Sequence, residues 1–386
     1  MADNATPTII KGLEGVYFTE TKICKVDGFK GRLWYRGYSI ESLAKNSSFE
    51  EVSYLILYGS LPNAEALSVF TKKLVSYMNL DSGIIGLVKM LSPNMLSMDV
   101  LRSAVSSLPA FADKKVYQSE AEEKLEESAE IIGRICGIVA LMGRLKAGGE
   151  YVAPDQSLGV AQNILYMMTG KIPEDKVAKM LDVMMLLHAE HSSNASTFCT
   201  IVAGSTLADI YSAITAGICA LKGPLHGGAD EKALDMMRAI GNPDNTEKYI
   251  EEALDGKKRI MGFGHRVYKA YDPRAKVIKS YLEDIQNGST MEVQTLTAIA
   301  LRAEKMMVEK LGETKGIWPN VDFFSGPVYT YIGIPKELFT PLFAASRSPG
   351  WCAHMLEYWQ DNRLIRPLDY YNGQLDIPYV PLDQRK

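Results

Sequence analysis

Apolar residues recur every three to four positions along most of this chain, the spacing that lays a stripe along one face of an α-helix. In residues 174–188 (EDKVAKMLDVMMLLH) they fall at Val177, Met180, Leu181, Met184, Met185 and Leu187. Residues 206–222 repeat the pattern through Leu207, Ile210, Ile214, Ile218 and Leu221, and residues 298–311 through Ala300, Leu301, Met307, Val308 and Leu311. Shorter runs at 55–57, 66–69 and 338–345 also suit helices. Strand-like patterning is confined to VYFTETKICKVDG (16–28) and GRLWYRG (31–37), which are short, β-branched or aromatic, and bounded by glycine. The pattern predicts an all-α, mainly helical fold with a minor β element near the N-terminus.

Glycine and proline punctuate this pattern at 148–157, 222–224, 241–247 and 325–335. The KGP and SGP breaks bracket a stretch holding two histidines and the densest basic cluster of the chain. That stretch, 223–330, is the expected second domain, inserted into a larger helical domain formed by 1–222 and 331–386. The charged run 113–128 (DKKVYQSEAEEKLEES) is expected to be a solvated helix face. No fixed-period repeat is present.

Composition narrows the setting. A chain of 386 residues buries enough surface to need no staple. A formal charge of −4 and a pI near 5.9 give no electrostatic reason to expect nucleic acid. Five scattered cysteines without a C-x-x-C pair argue for reduced thiols and against structural zinc. The N-terminus lacks a basic region followed by an apolar core, and the apolar stretch 201–221 is interrupted by Ser205, Thr206, Asp209, Tyr211 and Ser212. A soluble, cytoplasmic protein with no membrane partner is expected.

The chemistry gathers in a few stretches. In KGPLHGGADE (222–231), His226 lies between two helical patterns, close to the start of the second. The positive end of that helix should lower its pKa and keep it a neutral donor. The alternative is a turn histidine that caps a carbonyl. In KKRIMGFGHRVYKAYDPRAK (257–276), His265 follows Gly262 and Gly264 among seven basic residues, a setting for phosphates or carboxylates, or simply a solvated basic face. In LLHAEHSSNASTF (186–198), His188 and His191 would share a helix face. No clear third ligand accompanies them, and Glu190 points elsewhere on a helix, so no metal is expected. His188 reads as core and His191 as a ligand contact. Asp322, in GIWPNVDFFSGPVY (316–329), is set among aromatics that would raise its pKa and strengthen it as a base, or else it caps the next helix. Arg347 and Arg366 each stand beside a proline turn, and His354 is spaced for packing.

Together, two histidines in glycine turns, one carboxylate and several arginines suit proton abstraction beside a carbonyl, with neutral donors on the enolate oxygen. GPLHGG (223–228), GFGHRVYK (262–269) with DPRA (272–275), NVDFFSG (320–326) and SR-x-x-GW (346–351) resemble the citrate synthase family in order and spacing. The similarity runs from KGLEGV (11–16) and GRLWYRGYSIE (31–41) to NRLIRP (362–367). The resemblance implies a homodimer of the family's smaller type, its small helical domain closing over the active site of the large one. It implies condensation of oxaloacetate with acetyl-CoA and hydrolysis to citrate and CoA. Asp322 would take the methyl proton, His226 would hold the thioester oxygen and His265 would polarise the keto oxygen. His191, Arg274, Arg347 and Arg366 would contact the dicarboxylate, Arg366 coming from the second copy. Arg259, Ile260, Met261, Gly262, Phe263 and Lys269 would bind CoA, a substrate; no cofactor or metal is implied.

Glu190, Ser192, Leu368, Asp369 and Asp230 depart from the residues common in that family. These changes bear on substrate preference and efficiency more than on the class of reaction. Two other readings share the motifs: a 2-methylcitrate synthase that takes propionyl-CoA, alone or beside acetyl-CoA, and a non-catalytic protein that binds CoA or a dicarboxylate. One methylene is worth only about 1–3 kcal/mol of discrimination in a pocket.

Overall fold

Small polar residues mark where the helices begin. Ser48 accepts a hydrogen bond from the Glu51 N–H, Asn63 from Ala66, Asp209 from Ser212 and Asp272 from Arg274. Each fills an orphan donor of a first helical turn. The computed structural model describes residues 7–111, 121–287 and 289–386. Its chain runs through β1 (Cys24–Asp27), β2 (Arg32–Tyr35), β3 (Tyr38–Ser39), α1 (Ile40–Asn46), α2 (Phe49–Tyr58), α3 (Ala64–Met78), α4 (Ser82–Leu91) and α5 (Ser97–Ser107). There follow α6 (Ala121–Lys146), α7 (Val160–Thr169), α8 (Asp175–His188), α9 (Ala195–Gly204), α10 (Ile210–Leu221), α11 (Ala229–Ile240) and α12 (Thr246–Asp255). The last are α13 (Pro273–Gln286), α14 (Met291–Met307), α15 (Glu313–Lys315), α16 (Ser325–Ile332) and α17 (Phe339–Trp359). The mainly helical fold with a small sheet is what the hydrophobic pattern predicts.

The differences lie at element ends. The sheet is antiparallel in the order β1-β2-β3, with Cys24 opposite Tyr35 and Trp34 opposite Ser39. Of the expected strand at 16–28 only 24–27 pairs, because the hairpin across Gly31 matches just four residues to β2. The helix expected from 206 starts at Ile210, since Leu207 has a φ of +64° and Asp209 caps the turn that follows. Residues 308–312 continue α14 as a π-helical turn. Of the charged run, 113–120 lie outside the described residues. Within the described part Glu126 keeps 44% of its side chain exposed, while bonding Lys73 and Tyr77 of α3.

α17 is the axis of the core. Every residue from Phe339 to Met355 is buried, polar ones included, and the helix packs against α2, α6, α8, α9 and α10. The helices of 229–332 pack on one another, and meet the rest of the chain through α16 on α8, α13 on α1 and α11 on α17. The close approach of α3 to α6 depends on two glycines one turn apart. A Cβ at Gly133 would lie 2.5 Å from the Leu74 carbonyl oxygen, and one at Gly137 would lie 2.4 Å from that of Met78. Backbone cannot yield as a side chain does, so Gly137→Ala should lower the unfolding free energy by about 1–3 kcal/mol in chemical denaturation, as overpacking does. Unchanged stability would contradict the packing described.

Candidate active site

The GPLHGG turn takes its shape from backbone hydrogen bonds. The His226 N–H donates to the Gly223 carbonyl (2.9 Å) and the Gly227 N–H to that of Leu221 (2.9 Å). A Cβ on Gly227 would meet the latter oxygen at 2.5 Å, so glycine is required there. Nε2 of His226 faces Ser196, in the first turn of α9: its backbone N–H is at 3.3 Å and its hydroxyl at 2.8 Å. A main-chain N–H can only donate, so Nε2 accepts and the ring proton belongs to Nδ1. The His226 pKa falls to about 4, through burial first and the Arg347 charge second. The expected neutral histidine is thus present, with burial rather than the helix terminus as the larger cause. Gly228 caps α11, and Asp230 and Glu231 occupy its first turn.

The segments that carry His265 and Asp322 zip side by side. The Gly264 N–H donates to the Trp318 carbonyl (2.8 Å), the Asn320 N–H to that of Gly262 (2.9 Å), and Asn320 Nδ2 to that of Gly264 (2.9 Å). Gly262 and Gly264 have φ near +80°, and a Cβ on Gly262 would lie 2.7 Å from the Phe323 Cα. Both conditions demand glycine. Nδ1 of His265 accepts the N–H groups of Val267 (3.0 Å) and Tyr268 (3.1 Å), which leaves the proton on Nε2. Burial and Arg274 lower its pKa to about 4. Asp322 does not cap α16, whose N-cap is Phe324; its own N–H donates to Asn320 Oδ1 (3.0 Å). Burial raises its carboxyl to about 6, against the pull of Arg274 and Arg347.

A second centre forms where α8 ends. His188 is its last residue, so His188 and His191 do not share a helix face. His188 is buried with Nδ1 2.7 Å from the Met184 carbonyl, a core position. His191, in the turn that follows, approaches Tyr268 Oη (3.3 Å), and its ring centroid is 5.2 Å from that of His265. Arg347, 1% exposed, donates through Nε to the His188 carbonyl (2.6 Å) and lies over the Phe343 ring. That ring also faces His188 and His226. Arg274, 3% exposed, makes paired bonds to Asp272 (3.1 and 2.8 Å). The same Asp272 accepts the Val321 N–H (3.2 Å), tying the start of α13 to the loop that carries Asp322. Burial and the Arg274 charge hold His191 well below the usual histidine range.

The remaining expected residues divide. Phe263 packs on Phe323 and Ile260 is buried, whereas Arg259 and Lys269 are exposed on the same stretch. Arg366 is exposed and is not brought to this cluster within one chain. Its segment is tied to Ser205 through Asn362 and Ile365, at the far end of α9 from Ser196, about 13 Å away by helical rise. Asp369 is exposed too. Asp230 is 2% exposed, and burial together with the Asp322 charge drives its carboxyl well above the usual range. Among the described residues no group of three His, Cys, Asp or Glu could hold a metal ion. Sequence reading passed over Ser196, Tyr268 and Asp272. Only Asp272 had a local signal, an Asp-Pro helix start two residues before an arginine.

Two neutral imidazoles with opposite tautomers, a carboxylate of raised basicity and two buried guanidiniums can hold a dianion, deprotonate a carbon acid and stabilise the resulting oxyanion. A family model described as "Citrate synthase, C-terminal domain" matches residues 12–368. The chain is 43% identical to a citrate synthase of Deinococcus radiodurans over 98% of its own length and 99% of that protein's. It is 41% identical to 2-methylcitrate synthase 1 of Corynebacterium glutamicum, over 97% and 98%. The structure of citrate synthase from Thermoplasma acidophilum in a ternary complex with carboxymethyl coenzyme A and oxaloacetate superposes with a TM-score of 0.92 at 37% identity, covering 98% of this chain and 100% of that one. The chain belongs to the citrate synthase family, enzymes that transfer an acyl group.

Proposed function

We propose that this enzyme condenses acetyl-CoA with oxaloacetate and hydrolyses the resulting citryl thioester to citrate and free CoA. The observation that carries the mechanism is the opposite wiring of His226 and His265. Each has one ring nitrogen occupied by a backbone N–H, and so offers a single N–H to a substrate oxygen. The Asp322 carboxylate takes a proton from the thioester methyl, and Nδ1–H of His226 donates to the oxygen that gains charge. The enol carbon then attacks the keto carbon of oxaloacetate, whose oxygen is polarised by Nε2–H of His265. Water finally cleaves the thioester. A low pKa matters here, because a cationic imidazole would give up its proton rather than share it.

Arg274, Arg347 and His191 hold the two carboxylates, and their burial makes each charge count for more than it would in water. Arg366 reaches this pocket from a second copy of the chain in a homodimer, which its position at the far end of α9 supports. The CoA moiety lies along Arg259–Phe263 and Lys269, where exposed basic side chains flank packed apolar ones. Residues 223–330 form the smaller domain, which closes on the larger one (1–222 and 331–386) and excludes water until condensation is complete. The enzyme works in the cytoplasm and needs no metal or redox cofactor. Among the described residues no single helix is long and apolar enough to cross a membrane.

The acyl donor is the point on which relatives divide, and thiol release with acetyl-CoA against propionyl-CoA decides it. Acetyl-CoA is expected to be preferred; a clear preference for propionyl-CoA would make this a 2-methylcitrate synthase. Oxaloacetate binding without thiol release from either donor would leave only a binding protein. Asp322→Ala should cut turnover by roughly 10²–10⁴-fold, the range for loss of a general base, with oxaloacetate affinity nearly intact by calorimetry. Equal loss of both would refute the role. Because Asp322 must be ionised to act, kcat/KM for the acyl donor should fall as pH drops through about 6. His226→Ala should depress turnover by roughly 10²–10³-fold, as losing an oxyanion donor does, while dicarboxylate affinity stays close to wild type.

A further inference from the structure

Glu190 and His354 have no part in the chemistry above, yet they are 164 positions apart in sequence and in direct contact. Glu190 is 0% exposed and His354 is 2% exposed, with Glu190 Oε1 2.9 Å from His354 Nε2. The Glu190 main chain is clasped as well: Tyr35 Oη donates to its carbonyl (2.8 Å) and accepts its N–H (3.3 Å). Burying a carboxylate is costly unless the site needs it, and the neighbours of this one suggest why it is kept.

His354 lies two helical turns beyond Arg347 on α17, and Gly350 lies between them, so the three share one face. That face rests on the turn at 188–191. Arg347 Nε bonds the His188 carbonyl, and His354 holds the Glu190 side chain. At Gly350 a Cβ would lie 2.2 Å from Glu190 Oε2 and 2.4 Å from the Ala189 carbonyl oxygen. Glu190 Oε2 itself has no hydrogen-bond partner. Three contacts along 188–190 thus fix how α17 is rotated and advanced against the end of α8. Arg347 is carried by one partner and His191 by the other. The Glu190 charge also acts favourably on the Arg347 guanidinium.

We infer that Glu190 and His354 form a positioning pair for dicarboxylate binding, locking α17 in the register that sets Arg347 opposite His191. This rests on the assignment of Arg347 and His191 to the dicarboxylate given above. The pair touches the segments that carry Arg347 and His191 and not 259–269, so its loss should appear in oxaloacetate affinity and not in the acyl donor.

The test compares E190A, E190Q, H354A and the double alanine variant in oxaloacetate Kd, oxaloacetate and acyl-CoA KM, and kcat. E190A and H354A should each weaken oxaloacetate binding by at least about tenfold, and the double variant should be within about threefold of either, because groups that act as a unit are non-additive. The acyl-CoA KM should stay within about twofold, and E190Q, whose amide oxygen still accepts the His354 Nε2–H, should recover affinity to within about threefold of wild type. Should alanine not be tolerated, H354N, too short to reach Glu190, carries the same expectation as H354A. Unchanged oxaloacetate affinity, additive losses, or equal losses for both substrates would overturn the inference. A wild-type enzyme that releases no thiol would instead count against the proposed reaction.

Discussion

Two positive charges kept out of water govern this site. Arg274 and Arg347 are almost wholly buried, and an unpaired guanidinium there would cost several kcal/mol. Arg274 is compensated directly, by two bonds to Asp272. Arg347 has no carboxylate bonded to it; it donates to the His188 carbonyl (2.6 Å), lies over an aromatic face and gains from the Glu190 charge at longer range. Compensated in this way, both guanidiniums carry the positive charge that the proposed dianion would meet. Their fields also reach the histidines: Arg274 lowers His191 and His265, and Arg347 lowers His226. The charges proposed to hold the substrate therefore help to keep the neighbouring imidazoles neutral.

The backbone supplies the rest of the tuning. His226 and His265 are each met by main-chain N–H on one ring nitrogen, the one that the proposed mechanism leaves unused. Those donors fix the tautomer without adding a titratable group. Asp322 gains basicity from burial, while the arginines limit how far its pKa climbs, and about 6 leaves it ionised at neutral pH. Asp272 joins these parts. It starts α13, pairs with Arg274 and holds the Val321 N–H, so the proposed substrate grip and general base share one anchor.

Much of this was legible in the chain itself, for local reasons. His226 and His265 stood out because glycines around a histidine announce a backbone that must come close to something. Asp322 stood out because a carboxylate among phenylalanines has an altered basicity. The helices were legible by periodicity, and their ends less so: α8 stops at His188, which moves His191 off the helix face that spacing alone assigned to it. What could not be read locally are partners distant in sequence. Ser196 meets His226 across 30 residues and Glu190 meets His354 across 164. No periodicity encodes such contacts; they exist only once the helices are packed together.

The most direct measurement is ¹⁵N NMR of the imidazoles in the intact enzyme across pH 4 to 8. At pH 7 the account predicts that His226 is neutral with its proton on Nδ1, and His265 neutral with its proton on Nε2. Both should stay uncharged until the pH approaches about 4. Either ring found cationic at pH 7, or either proton found on the opposite nitrogen, would contradict the claim that this fold presents two neutral donors of opposite tautomer.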